Sequence, residues 1–107
     1  MLLSDRLEEI YNNSGKFNLE TCNAIIHAIA DKFEEELDGL MKTVKQKGSI
    51  NSNILYSSVN SIRNVFNNFI KKHPDIPQIL VDKENGNIAN YKKLVDEAVY
   101  NSLNHNN

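Results

Sequence analysis

Apolar residues recur along most of the chain at the three- and four-residue spacing of helices that bury one face. Leu3, Leu7 and Ile10 mark a short first helix over about 2–12, closed at Asn12-Asn13-Ser14-Gly15. Gly15 suits the left-handed residue that ends a helix. The second helix is the longest. Cys22, Ile26, Ile29, Phe33, Leu37, Leu40 and Val44 form its stripe, with Ile25 and Met41 widening it. Asn18 reads as its N-cap, Phe17 as an apolar staple onto Cys22, and Gly48 as its stop.

A third helix over about 52–72 carries Leu55, Val59, Ile62, Phe66 and Phe69. Asn51 or Asn53 caps its start. Lys71-Lys72-His73 suits a helix C-terminus, and Pro74 prevents continuation. The final helix runs from about Ile88 to Leu103 through Tyr91, Leu94, Val95, Ala98 and Val99. Residues 74–90 read two ways. Gln78-Ile79-Leu80-Val81 forms a helical turn followed by a loop, which is the preferred reading. Alternatively, Ile79-Leu80-Val81 is extended and Asn85-Gly86 turns into Ile88.

These stripes predict an all-α fold: a small bundle of four helices built round a long antiparallel hairpin, about 19–47 and 52–72. The 107 residues fit one domain, 1–107, with a frayed tail over 104–107. No apolar run approaches the roughly 20 residues that span a bilayer. The opening MLLSDRLEEI lacks the basic region of a signal peptide. A single cysteine forms no internal disulfide, so a cytoplasmic setting is expected.

The total charge of −2 conceals a strong segregation. Residues 1–38 hold nine acids and three bases, residues 39–74 six bases and no acid, and residues 75–107 five acids and three bases. If the hairpin forms, Arg63 falls beside Glu35, and Lys71 beside the stretch from His27 to Asp31. Acid on one arm would then face base on the other.

The chemistry-bearing residues form no catalytic pattern. His27, His73 and His105 lack metal-ligand spacing, and Cys22 falls within an apolar stripe. The four glycines are scattered and cradle no phosphate. Glu34-Glu35-Glu36-Leu37-Asp38 lacks the alternating ligands and the glycine of a calcium loop. No enzyme activity, cofactor or metal is expected. Gly39 sits inside the long helix, where it lowers helix propensity and would admit a close neighbour.

Asparagine occurs 17 times, which fits an AT-rich genome such as that of a low-GC bacterium or its phages. The third helix concentrates this bias on one polar face. Asn60, Arg63, Asn64, Asn67 and Lys71 lie there, and Asn and Ser are weak helix formers that a merely solvated face does not require. Short amides beside a few cations suit contact with another protein. That face is therefore the candidate partner surface of a non-catalytic regulator, inhibitor, adaptor or immunity-type factor. In size and general patterning the chain is similar to small four-helix bacteriocin immunity proteins. The near-heptad stripes also allow a homodimer. A DNA-binding regulator using helix 52–72 with Lys45, Lys47 and Lys72 is the alternative, against which the acidic total and the missing short helix-turn-helix connection weigh.

Overall fold

Asn18 starts the longest element where expected: its side chain accepts a hydrogen bond from the Thr21 amide at 2.9 Å. The computed structural model, which describes residues 1–15 and 17–104, contains five helical elements. They are α1 (Leu3–Asn13), α2 (Leu19–Lys47), the single turn α3 (Ser52–Leu55), α4 (Ser57–Lys72) and α5 (Gln78–Asn104). Among the described residues there is no strand. Gly15 and Gly48 take positive φ values of 64° and 70°, the left-handed conformation that their helix-ending roles require. The frayed tail expected over 104–107 lies outside the described residues, apart from Asn104 at the end of α5.

The second arm of the hairpin is interrupted. Asn51 caps α3 by accepting from the Asn53 amide at 2.8 Å. The chain then leaves helical geometry for one residue at Tyr56, with φ −107° and ψ 3°, before α4 begins. Tyr56 is turned to α5, where its hydroxyl donates to Asp96 and its ring lies under the Lys92 ammonium.

Residues 78–104 form one continuous helix, so neither the loop nor the hairpin expected within 74–90 is present. Residues 74–77 turn the chain, and the Pro77 carbonyl accepts from the Leu80 and Val81 amides as α5 opens. The cause is a single buried face. Leu80, Val81, Ile88, Tyr91, Val95 and Val99 are all buried, and Glu84 fills the step between Val81 and Ile88. Packing of this face outweighs the low propensity of Asn85 and Gly86, which are exposed.

The helices alternate in direction. The start of α1 lies beside Ala28 and Asp31, and its end beside Asn18 and Thr21, so it runs opposite to α2. Ser58 at the start of α4 reaches Glu36 in the second half of α2. Phe33 of α2 stacks on Tyr91 of α5, with centroids 4.2 Å apart, and α5 packs most extensively along α2. At roughly 1.5 Å per residue, α1 spans only about a third of α2. The molecule is correspondingly elongated, 53 × 25 × 21 Å. Its core runs from Leu7, Ile25 and Ile29 through Phe33, Ile62 and Phe66 to Val44.

Candidate functional site

All five sequence-predicted site residues lie on one side of α4. At 100° per residue, Asn60, Asn64, Asn67 and Lys71 occupy a sector of roughly 60°, with Arg63 at its edge. The buried stripe of Val59, Ile62, Phe66 and Phe69 is roughly 140° away. Asn60, Asn64, Asn67 and Lys71 are exposed, whereas Arg63 is half-buried. The Arg63 guanidinium donates to Asn60 at 3.4 Å. Among the described residues neither Arg63 nor Lys71 forms an ion pair.

That arrangement corrects the expected charge pairing of the hairpin. Arg63 does not meet Glu35, and Lys71 does not meet the stretch from His27 to Asp31. The acids of α2 are engaged elsewhere: Asp31 with Arg6 of α1 at 3.2 Å, and Glu36 with Lys32 of its own helix at 3.0 Å. The Lys32 hydrogen bond holds the Glu36 carboxyl below the usual range, and Glu36 in turn raises Lys32. Glu34 and Glu35 are exposed. Gly39 admits no close neighbour, since a Cβ there would meet nothing within 4 Å.

The structure assembles a second cluster where α1 meets the end of α4. His73 presents Nε2 to both Glu8 oxygens, at 3.0 and 2.8 Å, and the Lys72 ammonium lies 3.8 Å from the same carboxylate. The Tyr11 ring stacks on His73 with centroids 3.7 Å apart, and meets Phe69 edge-on. The Tyr11 hydroxyl donates to Asp75 at 2.7 Å, a bond that raises its pKa. Each polar group here is committed to a neighbour. The cluster therefore acts as a clamp that fixes α1 to α4 and to the turn before α5. Among the described residues no group of three or more His, Cys, Asp or Glu is placed to hold a metal ion.

His73, expected at the C-terminus of its helix, stands at the C-cap of α4. Its partner Glu8 lies 65 residues away, beyond anything a local pattern encodes. Glu84 was also missed. It is completely buried, its Oε2 has no hydrogen-bond partner, and Asn87 offers Oε1 only a long contact of 3.5 Å. Burial pushes its carboxyl up to about 7, against the weaker opposing effects of Asn87 and Lys83. Burial also pushes Tyr91 up to about 12, aided by Glu84 and Glu34. The signal for Glu84 was present: it stands four residues from both Leu80 and Ile88.

The remaining concavities are grooves. One of about 560 Å³ lies between α1 and the start of α2, beside Arg6, Glu9, Ile10, Asn13, Asn18 and Thr21. Another, about 290 Å³, is lined by Lys32, Glu36, Ser57, Ser58, Ser61 and Ile62, where α1 no longer covers the α2–α4 seam. No helix among the described residues is long and apolar enough to cross a membrane. The fold is thus that of a small all-α helical bundle. Comparison with protein-family models, curated proteins and solved structures gave no match.

Proposed function

We propose that this chain is a small non-catalytic helical protein that acts by binding another protein through the exposed face of α4. It would serve in the cytoplasm as a regulator, inhibitor, adaptor or immunity-type factor. The observation that carries this reading is the face itself. Asn60, Asn64 and Asn67 project amides to solvent beside Arg63 and Lys71, which have no ion partner among the described residues. These groups contribute nothing to the core, and amides beside cations supply directional hydrogen bonds and electrostatic guidance to an incoming surface.

The test is affinity capture from the native host, followed by mass spectrometry, with wild type and an Arg63→Glu/Asn67→Arg double variant. Both substitutions lie outside the core, so the helical circular dichroism and unfolding midpoint should stay as in wild type. A protein retained by wild type and lost with the variant supports the surface. Equal capture by both rejects it. A gel shift with duplex DNA at about 50 mM salt separates the nucleic-acid reading, because phosphate binding weakens steeply as salt rises. Lys72, one of the cations that reading needs, is drawn toward Glu8 in the structure. Sedimentation of the free protein tests a homodimer.

A further inference from the structure

α5 joins two apolar stretches through a polar one. Leu80 and Val81 precede the junction and Ile88 follows it, and all three are buried. Between them stand Asp82, Lys83, Glu84, Asn85, Gly86 and Asn87. Asn85, Gly86 and Asn87 are three successive weak helix formers, and local preference alone would end the helix here. Packing keeps the junction helical, yet the residue it carries inward is a carboxylic acid. Glu84 is completely buried, with one oxygen lacking any hydrogen-bond partner.

Neutral and ionised forms of that side chain differ sharply in what they tolerate. A protonated carboxyl in an apolar interior carries the cost of an imperfectly satisfied polar group. A carboxylate in the same place carries the far larger cost of an unpaired buried charge. No neighbouring element relieves it. The ionisable groups that act on or beside Glu84 are Lys83 and Tyr91 on α5, with Glu34 of α2 next to Tyr91, and none of them hydrogen-bonds its carboxyl among the described residues. Glu8 and Tyr11 of α1 and Lys72 and His73 of α4 belong to the clamp at this end of the bundle. Glu8 is committed to Lys72 and His73, and Tyr11 to Asp75. On α5 itself, Asp82 accepts from Gln78, and Lys83 is exposed. Asn87 alone approaches the Glu84 carboxyl, at 3.5 Å.

We propose that residues 82–87 form a proton-coupled hinge. With Glu84 protonated, α5 is one continuous helix and the carboxyl lies inside the bundle; on ionisation the junction opens, and Glu84 turns out to water. Opening interrupts α5 at its weakest stretch and leaves Ile88–Asn104 packed along α2. It loosens the Gln78–Val81 turn and uncovers the apolar surface of Ile76, Leu80 and Val81, now buried beside the α1 clamp. Burial raises the Glu84 carboxyl to about 7, so the change falls near neutral pH rather than in acid. Gly86 supplies the means to stiffen the junction without disturbing it. A Cβ there would meet nothing within 4 Å, and the residue has no positive φ.

Native-state hydrogen exchange of the full chain, followed by NMR from about pH 5 to about pH 8 and corrected for intrinsic rates, tests the hinge. In wild type, the opening constants of amides over 80–90 should rise roughly tenfold or more across that range. They should rise well beyond those of the α2 and α4 core amides, such as Ile29 and Phe66. Glu84→Gln should flatten this rise. Gly86→Ala should lower the opening constants roughly fivefold at every pH and leave their pH dependence in place. If Glu84→Gln does not fold, Glu84→Leu serves as the flat reference. The hinge is overturned if wild-type opening over 80–90 does not change with pH, if it matches the core amides throughout, or if its pH dependence survives in the Glu84 variant.

Discussion

Glu84→Leu replaces the one carboxylic acid in the described core with a residue that continues the stripe on either side of it. The consequence for global stability follows from where the proton sits. In the unfolded chain the carboxyl titrates near its ordinary value of 4.5, and in the folded chain near 7. At a pH below both values each state is protonated, and Glu84 adds no pH-dependent cost. As pH rises from 4.5 to 7 the unfolded chain releases the proton while the folded chain retains it. Each pH unit in that window then costs the native state about 1.4 kcal/mol. Above about 7 both states are ionised and the cost levels off at about 3 kcal/mol. That is a large part of the roughly 5–15 kcal/mol that stabilises a small domain. Urea unfolding of wild type, Glu84→Leu and Glu84→Gln, followed by far-UV circular dichroism from about pH 4 to about pH 8, reads this directly. The stability difference between each variant and wild type cancels the titration of every other group. It should be smallest at about pH 4, grow by about 3 kcal/mol toward pH 7 and remain flat beyond. Leucine adds a pH-independent gain from apolar burial, so its curve should lie parallel to that of glutamine. A difference that is constant with pH, or that shrinks as pH rises, would refute the reasoning.

Other perturbations probe the clamp and the helix ends. Tyr11→Phe keeps the stack on His73 and loses only the exposed Asp75 hydrogen bond, so the urea midpoint should stay close to that of wild type. Tyr11→Ala removes the stack and the edge contact with Phe69, and should cost roughly 2 kcal/mol or more in the same assay. Two glycine substitutions should act with opposite signs on the thermal midpoint. Gly39→Ala adds a methyl group in open space within a helix and should stabilise by about 1 kcal/mol. Gly48→Ala forces a side chain into the left-handed conformation that ends α2 and should destabilise by about 1 kcal/mol.

The elements that one-dimensional periodicity describes were legible in the sequence. The Asn18 cap and the Gly48 stop reflect interactions between residues close along the chain, and the structure shows both. Of the stripe from Cys22 to Val44, Ile29, Phe33 and Val44 are buried, whereas Cys22, Ile26, Leu37 and Leu40 are half-buried and Ile25 and Ala28 go inside. α5 was harder because its stripe contains a residue of the wrong polarity. Glu84 divides Leu80–Val81 from Ile88, and Asn85-Gly86 resembles a turn, so the apolar pattern reads as two pieces. Only the continuous seam with α2 and α4 reveals one helix. The Tyr56 break was hidden for a related reason. The groups that Tyr56 meets at the break, Asp96 and Lys92 of α5, lie about forty residues further on. The clamp lay deeper still, since neither Glu8 and His73 nor Tyr11 and Asp75 share a local pattern. The α4 face was legible as a composition, and the structure brings its five residues to one side of the helix.

Charge segregation along the chain proved informative about a different contact from the one it suggested. A basic arm following an acidic arm implies that the two hairpin helices neutralise each other, yet the short α1 takes that role. Arg6 reaches Asp31 of α2, while Glu8 draws both Lys72 and His73 at the end of α4. Glu8 of α1 thus engages one end of the basic arm and leaves its middle untouched. At the opposite end of the bundle, Lys45 and Lys47 complement the partial negative charge at the α2 C-terminus. The exposed Arg6–Asp31 pair contributes only ~0–1 kcal/mol, so it sets which helix lies where more than how stable the bundle is, whereas the Glu8–His73 contact is part-buried within the clamp. Arg63 and Lys71 do neither. They align no helix and join no ion pair among the described residues. The proposed partner surface therefore rests on these two cations and the asparagines between them, rather than on the whole basic segment. Reversing Arg63 should accordingly alter partner capture without moving the unfolding midpoint, whereas reversing Glu8 should loosen α1 and leave the α4 face intact.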